Sequence, residues 1–209
     1  MKQLKQYYKQ NKKDIIFISI MLLFFIVLSI LVITEKTTSF DTLIHTYILE
    51  IRNKPLTSIL NIITNLASAT FLLAFSSILF IILKDKKTAL YIFINLTCAF
   101  LLNESIKGII TRTRPIGINL VEETGFSFPS GHTMVGFAFY GLITYLLYTK
   151  ASKKNTKIIL ITSFILLSLL IGFSRIYLGV HYLTDIIGAF ILATIYLKIF
   201  IKIILTEKK

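Results

Sequence analysis

The sequence predicts an all-helical integral membrane fold: six transmembrane helices, a short amphipathic helix at the interface between the first two, and both termini cytoplasmic. Three observations carry this. Of 209 residues, 55% are hydrophobic and 16% charged, against about 25% charged in ordinary soluble domains. The apolar residues gather into six runs that meet or approach the roughly 20 helical residues needed to cross a hydrocarbon core of about 30 Å. The basic residues lie in short clusters between those runs, without one continuous basic face. The net charge of +13 therefore reads as membrane topology, and nucleic acid is not expected as a partner.

The runs cover roughly residues 15–34, 56–83, 88–106, 133–148, 158–173 and 185–205. The fourth and fifth are short and need a turn or more from flanking residues. No room is left for a separate soluble domain, so residues 1–209 read as one membrane domain, with 1–14 a basic cytoplasmic segment. MKQLKQYYKQNKKD looks like the n-region of a signal peptide. The apolar part after it is too long for an h-region and no small-x-small site follows, so an uncleaved helix is expected. Between the first two spans, SFDTLIHTYILEIRNKP (39–55) forms the interfacial helix, with His45 a surface histidine. The lone Cys98 offers neither a disulfide framework nor a zinc site and is expected to be small core filler.

Orientation follows the lysines and arginines. With the N-terminal segment inside, the inner side holds 16 of the 23 basic residues. These are Lys2, Lys5, Lys9, Lys12, Lys13, Lys84, Lys86, Lys87, Lys150, Lys153, Lys154, Lys157, Lys198, Lys202, Lys208 and Lys209. The outer side holds Lys36, Arg52, Lys54, Lys107, Arg112, Arg114 and Arg175. Every inner basic residue is lysine and every arginine is outer. Inner lysines serve as anchors beside anionic lipid; outer arginines need a chemical reason.

Three segments collect on that outer face. FPSGHT (128–133) enters the fourth span. Ser130 can cap the helix, whose first-turn N–H groups form an anion site. Gly131 lets an anion approach the backbone, and His132 lies in the first turn. An ordinary capped helix with an incidental histidine would look the same in isolation. KGIITRTRP (107–115) leaves the third span with Lys107, Arg112 and Arg114, and Pro115 stops the helix. Any one of these cations could be a snorkelling anchor, but arginine's planar fork suits phosphate and lysine adds a point charge. Arg112 and Arg114, two apart, are not expected to face one way. Arg114, beside the proline, is the expected phosphate ligand, and Arg112 an exposed or lipid-headgroup contact with at most a secondary role.

The third segment, SRIYLGVHYLTD (174–185), brings Ser174, Arg175, His181 and Asp185 together. His181 and Asp185 are four apart and would share a helix face. A carboxylate on one imidazole nitrogen fixes the tautomer and leaves the other as an oriented nucleophile or base; a structural pair closing a helix end is the plainer alternative. Two histidines with Glu104, Glu122 or Glu123 could suggest a metal, but Lys107, Arg114 and Arg175 would surround the ion with positive charge. The cluster calls for an anion, so no metal and no cofactor are expected, and Glu104, one turn before Lys107, should pair with it.

Together these motifs resemble the signature of the type-2 phosphatidic-acid phosphatase superfamily, which also contains vanadium-dependent haloperoxidases: K-x6-RP, PSGH and SR-x5-H-x3-D. The matching residues are Lys107 with Arg114-Pro115, Pro129-Ser130-Gly131-His132, and Ser174-Arg175 with His181 and Asp185. The six-span layout resembles the integral-membrane branch. The resemblance implies His181 as nucleophile, forming a phosphohistidine, Asp185 orienting it, and His132 as general acid. It implies Lys107, Arg114, Arg175, Ser130 and Gly131 as phosphate ligands, with Ser174 and Arg112 secondary, and typically no metal. It further implies a lipid phosphate substrate at the outer face of a bacterial plasma membrane. Phosphatidylglycerophosphate comes first, since GFSFPSGHTMVGFAFYG is most like the phosphatidylglycerophosphatase-like members. Undecaprenyl diphosphate is the alternative, with Arg112 or Lys36 serving its second phosphate, and phosphatidic acid is also in range. A non-catalytic lipid-binding or transport protein is the reading from another class. It fits less well, because both histidines are present and the ionisable residues cluster at one interface.

Overall fold

The computed structural model describes residues 2–117 and 119–206, with side chains over 11–117 and 119–203. The side chains of Lys2, Lys5 and Lys9, and Lys208 and Lys209 altogether, lie outside the described residues. Among the described residues all regular structure is helical: α1 (Lys2–Ile33), α2 (Thr38–Glu50), α3 (Lys54–Asn65), α4 (Ala69–Ile82), α5 (Lys86–Ile110), α6 (Gly131–Lys150), α7 (Lys154–Tyr177) and α8 (Leu183–Thr206).

Among the described residues four helices are long and apolar enough to cross a membrane: α1 over Asn11–Ile33, α5, α7, and α8 over Leu183–Ile203. The second apolar run is not one helix. It breaks into α3 and α4, bent by 48°, a fifth crossing if the pair counts as one span. The break has a local cause: Ser68 caps α4, accepting from the Phe71 N–H at 3.2 Å, and donates back to the Asn65 carbonyl at 2.8 Å. A hydropathy run does not register such a cap. Asn53 and Asp85 cap α3 and α5 in the same way.

The fourth run is α6, 20 residues and so about 30 Å long at 1.5 Å per residue. It is the central helix, packed against α5, α7 and α8, with Met134, Ala138, Phe139 and Leu142 fully buried. Close approach depends on small residues: a Cβ at Gly141 would lie 2.5 Å from Leu197 Cδ2, and one at Gly136 3.0 Å from Ala67 Cβ. Near the N-terminal end of α8, Phe128 fills the space over Gly188, where a Cβ would meet its ring at 2.5 Å. That wedge packs the PSGH turn onto α8. At the other end, Asp14 of α1 pairs with Lys198 at 2.9 Å and Lys202 at 2.8 Å on α8, so these two lysines also join helices.

α2, expected at the interface, is turned the opposite way to a helix on a soluble protein. α2 exposes Phe40, Leu43 and Tyr47 and buries Asp41 and His45. Lipid gives apolar side chains no drive inward, whereas charged groups must find partners in the protein. The expected surface histidine is therefore a buried one, stacked edge-on near Tyr182 at 6.3 Å and with its pKa lowered by burial and by Arg52. The same logic corrects Cys98: it is exposed on the outer face of α5 rather than filling the core.

Candidate active site

All three motifs meet at one end of the bundle, where α5 and α7 end and α6 and α8 begin. The chain leaves α5 through Thr111, which sits in the left-handed region (φ 52°). Among the described residues it then runs without regular structure to Ser130, so helical periodicity no longer governs where Arg112 and Arg114 point. Both turn inward, to different partners.

Asp185 lies in the first turn of α8, one turn after Tyr182. Its Oδ2 accepts the Tyr182 N–H at 2.8 Å, the half of a capping box in which a third-position carboxylate reaches back to the helix start. His181 precedes the helix instead of sharing a helical face, and its Nδ1 lies 3.3 Å from the same Oδ2. Ser127 also donates to Oδ2 in a short hydrogen bond and stands 3.4 Å from Nδ1.

The far side of the imidazole settles its tautomer. Arg114 Nη1 is 3.1 Å from His181 Nε2, and a guanidinium can only donate. Nε2 therefore accepts, and the proton sits on Nδ1, toward Asp185. Full burial pushes His181 down to about 4, with Asp185 opposing and Arg175 and Arg114 adding to the depression. At neutral pH the ring is uncharged and its lone pair points toward the cations.

Those cations come from three elements. Arg114 is held by the carbonyls of Gly125, Val180 and Thr124 at 3.1, 3.0 and 2.9 Å. Arg175, from the last turn of α7, donates to Thr64 Oγ1 at 2.6 Å and makes a short contact with Glu123; its buried Nε has no hydrogen-bond partner among the described residues. Lys107, from the last turn of α5, pairs with Glu104 at 3.2 Å, as the spacing predicts. A Cβ on Gly131 would sit 3.6 Å from Lys107 Nζ and 3.1 Å from Asn103 Oδ1, so the start of α6 opens directly onto the ammonium. The N–H groups of Gly131, His132 and Thr133 precede the first helical bond, from Met134 to the Ser130 carbonyl at 2.9 Å, and form an anion-seeking helix end.

Ser130 stands at the N-cap position, but its hydroxyl caps nothing; it accepts from Thr133 Oγ1 at 3.1 Å. His132 is 21% exposed at its side chain against 2% for His181, so it lines the open side of the site. Glu123 is the anion these groups hold in this structure. Its carboxylate contacts Arg175 and stands 3.8 Å from both Arg114 and His132 Nδ1. The acid that spacing could suggest as a metal ligand is thus spent on cations.

Two secondary candidates fall outside the cluster. Ser174 is fully buried and donates to the Ile171 carbonyl one turn back at 2.7 Å, the habit of a serine inside a helix. Arg112 is not exposed and not a headgroup contact: it binds Asp185 Oδ1 and Asp41 Oδ2, each at 2.6 Å. Burial disfavours its charge, but Asp185 and Asp41 outweigh that and raise its pKa. Ser127, Thr64, Thr184 and Asp41 all touch the site's charged or catalytic-type groups without belonging to a spaced motif, and Asn103 braces the PSGH turn through the Pro129 carbonyl at 3.2 Å. Of these, Asp41 left a trace in the sequence, as an acid four residues before His45 in the amphipathic segment.

A multi-pass helical membrane fold with two histidines and three cations gathered at one end defines the class. The chain belongs to the PAP2 superfamily, whose model matches residues 71–209. It is 34% identical over 173 residues to phosphatidylglycerophosphatase B of Bacillus subtilis, covering 80% of this chain and 85% of that one. The crystal structure of a transmembrane PAP2-type phosphatidylglycerolphosphate phosphatase from Bacillus subtilis superposes with a TM-score of 0.82 at 31% identity, covering 89% and 94% of the two chains. The LpxE structure of Aquifex aeolicus is more distant: TM-score 0.61, 26% identity, 78% and 95% covered.

Proposed function

We propose that this membrane lipid phosphatase hydrolyses the phosphomonoester of phosphatidylglycerophosphate at the outer face of the bacterial plasma membrane. The observation that carries the reading is the convergence of Lys107, Arg114 and Arg175 on the lone-pair side of a neutral His181. The Bacillus subtilis sequence relative and the Bacillus subtilis crystal structure both carry the name of that substrate. Arg112, the nearest candidate for holding a second phosphate, is committed to two carboxylates, which favours a monophosphate over undecaprenyl diphosphate.

In the proposed reaction His181 Nε2 attacks phosphorus as the bond to the lipid oxygen breaks. His132, on the open side, takes up a proton as the phosphate anion enters among the cations, and gives that proton to the leaving oxygen. Water, deprotonated by His132, then attacks phosphorus, the P–N bond breaks, and His181 returns to its neutral form. Lys107, Arg114, Arg175 and the first N–H groups of α6 stabilise the charge on the equatorial oxygens. Glu123 yields its place among the cations to the phosphate. No metal is needed, because the cations already supply the charge. The non-catalytic lipid-binding reading gains nothing from an oriented nucleophile.

The topology belongs to the same reading. With α3–α4 as the second span and α6 as the fourth, residues 1–209 form one membrane domain of six spans. Both ends of the chain lie inside and the site lies outside. In a Cys98→Ser background, Glu122→Cys is expected to react with a membrane-impermeant maleimide on intact cells; labelling only after permeabilisation would invert the orientation.

Phosphate release by the purified protein tests the substrate. Presented separately, phosphatidylglycerophosphate is expected to exceed phosphatidic acid and undecaprenyl diphosphate in kcat/KM by tenfold or more, about 1.4 kcal/mol of transition-state preference. Equal values would mean that the pocket reads only the phosphate. A preference for the diphosphate would assign the alternative.

A further inference from the structure

We propose that Arg112 and Asp41 are positioning residues for the His181–Asp185 pair, and that α2, through Asp41, is part of the catalytic machinery. This rests on the phosphatase reading above. Asp185 divides its two oxygens: Oδ2 faces His181, Tyr182 N–H and Ser127, while Oδ1 takes Arg112 Nη1 at 2.6 Å. The guanidinium is itself fixed on every side. Nη1 also donates to Thr184 Oγ1 at 2.7 Å, Nη2 donates to Asp41 Oδ2 at 2.6 Å and to Thr37 Oγ1 at 3.4 Å, and Cζ lies 4.2 Å from the centre of the Tyr182 ring. Asp41, fully buried, accepts from Thr184 Oγ1 at 2.6 Å and from the Thr184 N–H at 3.1 Å. One carboxylate on α2 thus caps α8 and holds the arginine that holds Asp185.

Burying three charges in this way is costly unless each is paired and hydrogen-bonded, and here each is. The arrangement has a chemical use. When Nε2 bonds to phosphorus the imidazole becomes cationic, and the step back to free enzyme is easier if it stays so, because a protonated imidazole leaves phosphorus more readily. The proton stays on Nδ1 as long as Asp185 is a poor base. Arg112 on Oδ1 weakens that base and locks the carboxylate plane, while Asp41 keeps Arg112 from swinging into the phosphate site. The other groups facing His181 are Arg114 and Arg175, with His132 and Glu123 across the cluster.

Three variants test this in the full-length purified protein: Arg112→Lys, Arg112→Gln and Asp41→Asn. Positioning predicts that kcat falls roughly tenfold to a hundredfold in Arg112→Gln. That is less than the about 10⁴-fold loss when a triad carboxylate is neutralised, and KM should change less than threefold. Arg112→Lys should recover part of the loss, and an aryl phosphate with a good leaving group should show the same loss, since the defect lies at the nucleophile. Heteronuclear NMR of the imidazole nitrogens gives a readout independent of turnover. Titration of His181 should move to higher pH in Arg112→Gln, where Asp185 loses its counter-charge. It should move to lower pH in Asp41→Asn, where Arg112 is left wholly to Asp185. A raised KM with unchanged kcat would make Arg112 a phosphate ligand and overturn the proposal. So would equal His181 titrations in all variants, or failure of all three to fold, either of which assigns the cluster to structure alone. Absence of phosphate release from wild type, with the NMR shifts as expected, would instead refute the phosphatase reading.

Discussion

His181→Ala is expected to lower phosphate release by about 10⁴-fold or more, the scale on which removing a nucleophile acts, while leaving the helical fold intact. The side chain sits in a loop between α7 and α8, and its contacts are with Arg114, Ser127 and Asp185, none of which depends on it alone. Arg114 keeps three backbone carbonyls, and Asp185 keeps Arg112, Ser127 and the Tyr182 N–H. Circular dichroism and the thermal unfolding midpoint check the fold beside the kinetic assay. Activity within tenfold of wild type would remove His181 from the nucleophile role.

Asp185→Asn is expected to cost nearly as much, by another route. The amide keeps the shape of the carboxylate but can present an N–H to Nδ1. The imidazole proton then moves to Nε2, and the lone pair that should meet phosphorus is gone; the corresponding change in a serine-protease triad costs about 10⁴-fold. Arg112 also loses one of its two anions. The expected signature is a collapse of kcat with KM little changed, together with an Nε2–H tautomer at His181 in the NMR spectrum. A variant that keeps the Nδ1–H tautomer and near-normal kcat would show that Asp185 serves the helix start only.

The motif residues were legible because their chemistry is carried by residue type and spacing: cations, a helix start and a His–Asp pair survive any uncertainty about packing. Apolar length alone marked α1, α5 and α8, and α7 only with a turn or more of flanking residues added. The bend between α3 and α4 was not visible that way, since it rests on the Ser68 cap. The facing of α2 was hidden for a different reason: the same periodicity serves a helix on water and a helix in lipid, and only the location of its partners decides which face turns inward. Arg112 went astray with it. Two arginines two residues apart are equivalent on paper. Asp41, some 70 residues earlier in the chain, separates them, drawing Arg112 to the Asp185 side and leaving Arg114 for Nε2. Ser174 failed the other way, belonging to the motif by position while its hydroxyl is spent inside α7.

The most direct test of the account is the steric course at phosphorus. A thiophosphate analogue of phosphatidylglycerophosphate, made chiral at phosphorus by sulfur, 16O and 18O and hydrolysed in 17O-labelled water, reports the number of displacements. Attack by His181 followed by attack of water inverts phosphorus twice, so the released chiral thiophosphate should show overall retention. Overall inversion would mean that water attacks the lipid phosphate directly and that His181 is not the nucleophile.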